Sequence, residues 1–228
     1  MKPVKQKSRR REFLGNIAAS AAALGMLSIP SSIKAASSIS GQPSTADEWF
    51  NSIKGKHRVV FDATRPYDLM PFAWPRVFLL TNQATGTEEK DSSVVVVLRH
   101  DAIPYAFEDR IWSKYKFGEF FKADDPATKT ASVRNPFWKP KSGDFKIPGF
   151  GPVAIGINEL QDSGVMFAVC DAAITVNSAV VAANMKADAA TVKNEWVSGL
   201  LPGIQVVPSG VWALGRAQEH GCSYIFAG

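Results

Sequence analysis

The chain has 228 residues and carries 26 Lys and Arg against 21 Asp and Glu, a formal net charge of +5. Seven of those cations and a single acid fall within residues 1–35, so the rest of the chain sits near −1. The basic character therefore belongs to the amino terminus, which excludes a charge-driven nucleic-acid binder.

Residues 2–11 hold six cations and no acid, and Arg10-Arg11-Glu12-Phe13-Leu14 fits the twin-arginine export pattern. The Ala-rich stretch that follows, residues 15–33, is only mildly apolar. Gly25 and Pro30 interrupt it, so it is too weak for a stable membrane anchor. Ala35, Ala36 and Ser37 offer a peptidase site. The order of these features predicts a signal peptide over 1–35, transient engagement of the twin-arginine translocase and a periplasmic location. The competing reading is a basic amphipathic tail or an uncleaved anchor. Residues 36–55 are expected to form a flexible leader, and 56–228 one domain large enough to bury a core.

Within that domain, residues 57–62 (His-Arg-Val-Val-Phe-Asp) predict a first strand and residues 71–83 contain a helix. Residues 93–100 carry four consecutive valines and a leucine, the pattern of a strand covered on both faces. An aromatic and apolar stripe predicts a helix over 105–121, which Pro104 can open. Residues 123–152 hold five prolines and read as a long irregular insertion with exposed aromatics at Phe137, Trp138 and Phe150. Then follow helix 153–162, strand 165–170, helices 172–185 and 188–200, strand 204–208, helix 211–220 and strand 224–226. Five strands alternating with helices predict an α/β fold, a three-layer α/β/α domain with a mainly parallel five-stranded sheet. In such a sheet the functional groups gather at the carboxyl ends of the strands.

Cys170 ends the third strand, with Asp171 as the expected cap of the next helix. A thiol there meets the positive end of the helix dipole, which favours the thiolate. The alternative is a small, inert core residue. Cys222 precedes the last strand at the opposite end of the sheet, so the two sulfurs are expected to stay unpaired. Arg99 and His100 end the second strand, and His100 could pair with a neighbouring thiolate, tuning it, or bind a metal; the alternative is a histidine that caps or hydrogen-bonds a loop. Ser209 and Gly210 read first as a helix cap, with ligand binding as a second role. No Cys or His pair has metal-ligand spacing, and no phosphate loop or dinucleotide motif occurs, so neither metal nor cofactor is expected.

Several blocks together carry a resemblance. These are Val94-Val95-Val96-Val97-Leu98-Arg99-His100, Gly164 to Cys170, Leu201 to Val211, and Arg216 to Gly221 followed by Tyr224-Ile225. In this order they resemble the DsrE/DsrF family, and with the export signal its exported branch. The likeness covers roughly residues 56–227; the 123–152 insertion departs from the minimal fold. It implies a small α/β/α domain, assembly into a homo-trimer or hexamer, and sulfane sulfur carried on the strand-end cysteine, here Cys170. The readings left open beside it are a non-catalytic binding or assembly domain, and a small-molecule or metal-binding protein at the same rim.

Overall fold

The computed structural model describes residues 43–228; Arg10, Arg11, Phe13, Leu14 and the rest of the predicted signal lie outside the described residues. The central sheet contains β1 (His57–Ala63), β2 (Ser92–Leu98), β5 (Met166–Cys170), β6 (Ile204–Val207) and β7 (Ser223–Phe226). They run in the order β6-β5-β2-β1-β7, every pair parallel. β2 takes the middle because its valines bury on both sides. Val94, Val96 and Leu98 enter one core, Val95 and Val97 the other. Full burial of such a side chain contributes about 1.5–3 kcal/mol, which an edge position would forfeit.

From β1 to β6 the chain steps across the sheet in one direction. Right-handed crossovers therefore put the intervening helices on a single face. These are α2 (Met70–Ala84), α3 (Asp109–Tyr115), α4 (Phe117–Phe120), α5 (Ile157–Asp162), α6 (Asp171–Met185) and α7 (Ala189–Ser198). After β6 the chain doubles back under the sheet through α8 (Gly210–Glu219) and adds β7 outside β1. Ala213, Leu214 and Ala217 of α8 fill the second core with Val60, Val95, Val97 and Ala168. The predicted three-layer α/β/α architecture is the one observed.

Three expectations are corrected. The leader is not flexible throughout: α1 (Pro43–Trp49) and a 3₁₀ turn (Phe50–Ser52) occupy its second half. Phe50 is fully buried against Trp212 in the second core, and that burial is what orders the segment. The helix expected over 105–121 is broken. A 3₁₀ segment (His100–Ala106) precedes α3, and Lys116, with a left-handed φ of 50°, separates α3 from α4. The helix expected from residue 153 starts only at Ile157, after Gly156 in extended conformation.

The insertion is not a peripheral loop. It contains a two-stranded ribbon, β3 (Lys146–Ile147) and β4 (Gly151–Pro152), and Phe137 and Phe145 belong to the first core, with Trp138 packed against it. Phe137 stacks on Phe72 at 4.2 Å and on Phe145 at 5.1 Å. Buried Asn135 anchors it, its Nδ2 donating to the carbonyls of Tyr105 at 2.8 Å and Phe107 at 2.9 Å. Of the three aromatics expected outside, only Phe150, 78% accessible, is exposed.

Candidate functional site at the carboxyl rim of the sheet

The carboxyl ends of β5 and β6 lead into helices on opposite faces, α6 above and α8 below. Adjacent strands whose exits diverge in this way leave a crevice between them, the usual ligand position in an open parallel sheet. Cys170 pairs with Val207 in the strand register, and the amide of Ala172 donates to the Pro208 carbonyl at 3.3 Å.

Cys170 itself caps α6, correcting the expectation for Asp171. Its Sγ accepts from the Ala173 amide at 3.3 Å, and Asp171 is the first residue of the helix. The sulfur therefore faces the exposed N–H end of a 15-residue helix, where negative charge is favoured. Cys170 is only 6% accessible. Asp171 points to α7, where Lys193 meets it: Oδ2 takes a hydrogen bond from Nζ at 3.0 Å. Oδ1, 2.9 Å from the same nitrogen, takes none. Lys193 also donates to Thr175 Oγ1 at 2.8 Å.

One strand over, Arg99 forks onto buried Asp62 of β1, Nε to Oδ1 at 2.7 Å and Nη2 to Oδ2 at 2.8 Å. The Tyr224 hydroxyl donates to the same Oδ2 at 2.8 Å, so Asp62, 1% accessible, ties three strands together. The hydrogen bonds to Asp62 hold the Arg99 guanidinium above its ordinary pKa, and the charge of Cys170 contributes in the same direction. Burial and then Asp62 raise the Tyr224 phenol. The guanidinium is thus a cation within electrostatic reach of the thiol.

His100 is placed differently. It has a left-handed φ of 51°, its side chain is 69% exposed, and its Nδ1 lies 3.2 Å from Asp101 Oδ2. Among the described residues it makes no hydrogen bond to Cys170. Ser209 caps α8, its Oγ accepting from the Trp212 amide at 3.2 Å. Gly210 lets the helix start directly over Arg99: a Cβ there would stand 2.5 Å from the Arg99 Cβ.

Cys170, Asp171, Arg99, Ser209 and Gly210 therefore share one rim, with His100 at its solvent side. The residues that sequence reasoning missed are Asp62, Tyr224 and Lys193. An acid closing an otherwise apolar strand was a readable sign for Asp62; nothing local marks Lys193. Cys222 lies in the second core, and burial pushes its thiol up to about 11. Among the described residues no cluster of three or more His, Cys, Asp or Glu side chains is placed to hold a metal. Nor is any helix among them long and apolar enough to cross a membrane.

No family model matches the chain. No curated protein matches either. Among solved structures, a protein of unknown function from Methanobacterium thermoautotrophicum, MTH1491, is 18% identical, with a TM-score of 0.39 over 75% of this chain and 98% of its own.

Proposed function

We propose that the protein is an exported, DsrE-like thiol protein that accepts and passes on sulfane sulfur at Cys170. The observation that carries this reading is the Cys170 sulfur accepting the Ala173 amide at the amino end of α6. An acceptor contact and a helix dipole both favour the anion, the form that is nucleophilic. In the transfer, the thiolate attacks the outer sulfur of a donor persulfide, R–S–SH. The new sulfur–sulfur bond forms as the donor's breaks, and the donor leaves as the thiolate RS⁻. The proton stays on the transferred sulfur and no net oxidation occurs. Arg99 offsets the negative charge, and His100 at the mouth of the crevice tunes it. The twin-arginine pattern supports export of the folded protein to the periplasm.

Treating the purified protein with polysulfide should add about one sulfur mass per subunit, on the peptide containing Cys170. Cys170→Ser should fold and take up none, and Cys222→Ser should behave as wild type. His100→Ala should slow uptake without abolishing it. Cys222 should alkylate rapidly only in strongly alkaline buffer, because burial raises its thiol to about 11. Equal, slow alkylation of both cysteines at neutral pH would overturn the relay. The second reading, a binding or assembly domain, would then stand on the burial of Cys170.

The same reading includes a homo-oligomer, a trimer or hexamer. Among the described residues β7 pairs only with β1, and Tyr224, Ile225 and Phe226 on it are all exposed. A bare apolar edge of this kind invites a partner surface. Light scattering after size exclusion at micromolar concentration should give a multiple of the subunit mass; a compact monomer would rule the assembly out.

A further inference from the structure

Away from the thiol, three residues with left-handed backbone line one cleft: Asp68 (φ 47°), Lys122 (φ 54°) and Lys129 (φ 56°). Tyr105 and Asp124 complete its polar wall, and the volume is about 180 Å³. Tyr105 is 1% accessible. Among the described residues its hydroxyl has no hydrogen-bond partner, although the ring is packed against Phe72, Trp112 and Phe137. Burial raises the phenol pKa, and the charges of Asp68 and Asp124 add to the rise. The hydroxyl therefore remains a proton donor throughout the neutral range. The ring is packed away while the side chain still contributes to the cleft wall, so the hydroxyl is the part of Tyr105 left to meet a ligand. Tyr105 thus adds a neutral donor to a wall whose other polar groups are charged.

A second cleft, of about 370 Å³, adjoins the first and shares Asp68 and Lys129 with it. Its further walls are mostly apolar, Leu69, Met70, Ala73, Phe145 and Ile147, with Asp144 and Lys146 beside them. The loose Asp68–Lys129 pair, 3.5 Å apart, stands at the junction. The polar compartment holds two carboxylates and two ammonium groups, so it is balanced overall. A head group of one sign would leave an uncompensated charge, whereas a zwitterion satisfies both.

We propose that this paired cleft binds a free α-amino acid with an apolar side chain. The carboxylate accepts from the Tyr105 hydroxyl and the lysines, the ammonium donates to Asp68 and Asp124, and the side chain enters the apolar compartment. Residues 124–129 and 144–148 supply much of the wall, which gives the insertion a binding role distinct from the sulfur chemistry. Cys170 lines neither compartment.

Titration calorimetry with L-leucine, L-methionine and L-phenylalanine should show binding by at least one at or below about 1 mM, a free energy near −4 kcal/mol. The corresponding amino-acid amide, a cation, and the N-acetyl derivative, an anion, should each bind about tenfold more weakly or worse. Tyr105→Phe should keep or raise the thermal midpoint of the free protein and yet weaken amino-acid binding about tenfold. Cys170→Ser should bind as wild type, so failure of the sulfur reading leaves this one untouched. The proposal falls if none of the three amino acids gives heat, or if a single-charge analogue binds as tightly. It falls equally if Tyr105→Phe lowers the midpoint or leaves affinity unchanged.

Discussion

Asp62→Ala is expected to lower the stability of the protein by about 1.5–3 kcal/mol, the loss of charged hydrogen bonds to a buried carboxylate from a partly exposed arginine. The carboxylate accepts three hydrogen bonds, two from Arg99 and one from Tyr224. Without it the guanidinium is left without a counter-charge beneath the first turn of α8. It has little room to move, because the Arg99 side chain runs directly under Gly210. Urea titration should show the loss as a lower midpoint at unchanged slope. Replacing both partners by apolar residues, Asp62→Leu with Arg99→Met, should recover much of it, since two desolvated charges then disappear together. A single-variant loss below about 1 kcal/mol would mean that the network is no more than a surface contact.

Gly118→Ala should cost about 3 kcal/mol, the upper end of ordinary overpacking, because the obstacle is main chain. A methyl at this position would lie 2.2 Å from the Ser132 carbonyl oxygen and 2.3 Å from its nitrogen. No rotamer change relieves that overlap. Ser132 is itself fixed, its amide donating to the Ala123 carbonyl at 2.9 Å and its hydroxyl to that of Arg134 at 2.6 Å. The variant must push the insertion away from α4, so thermal unfolding should begin earlier and residues 123–135 should become protease-sensitive. Gly215→Ala is the matched control: nothing lies within 4 Å of its added carbon. In a helix interior that change should stabilise by roughly 0.5–1 kcal/mol. Equal midpoints for the two variants would contradict the packing described for the insertion.

The strands were legible because their signals are local. The valines of β2 and the run 166–170 could pack only as strands covered on two faces, and the parallel order followed from the helices between them. The cap at Cys170 was half legible, since its position at a strand end was clear while its identity as the cap itself was not. That choice depends on where the sulfur lies relative to the Ala173 amide, a matter of backbone angle that residue types do not specify. The insertion was misread for a different reason. Its prolines and glycines describe backbone correctly, but Phe137 is drawn inward by Phe72, a partner 65 positions earlier in the chain, and Phe145 stacks on Phe137 in turn. Asp62 with Arg99 and Tyr224, and Asp171 with Lys193, are likewise pairings between segments far apart in sequence. Composition carries no trace of them.

The return of the chain from β6 to β7 bears on how the protein is made. Among the described residues β7 is the last strand in the chain and its partner β1 the first, and the hydrogen bond from Tyr224 to Asp62 spans 162 residues. A growing chain that has not yet released residues 223–226 holds β1 as an open edge and Asp62 without its third donor. Loop closure over such a separation must precede the contacts that reward it, which slows folding. Until then the nascent domain offers an unpaired, largely apolar strand to chaperones and to other nascent chains alike.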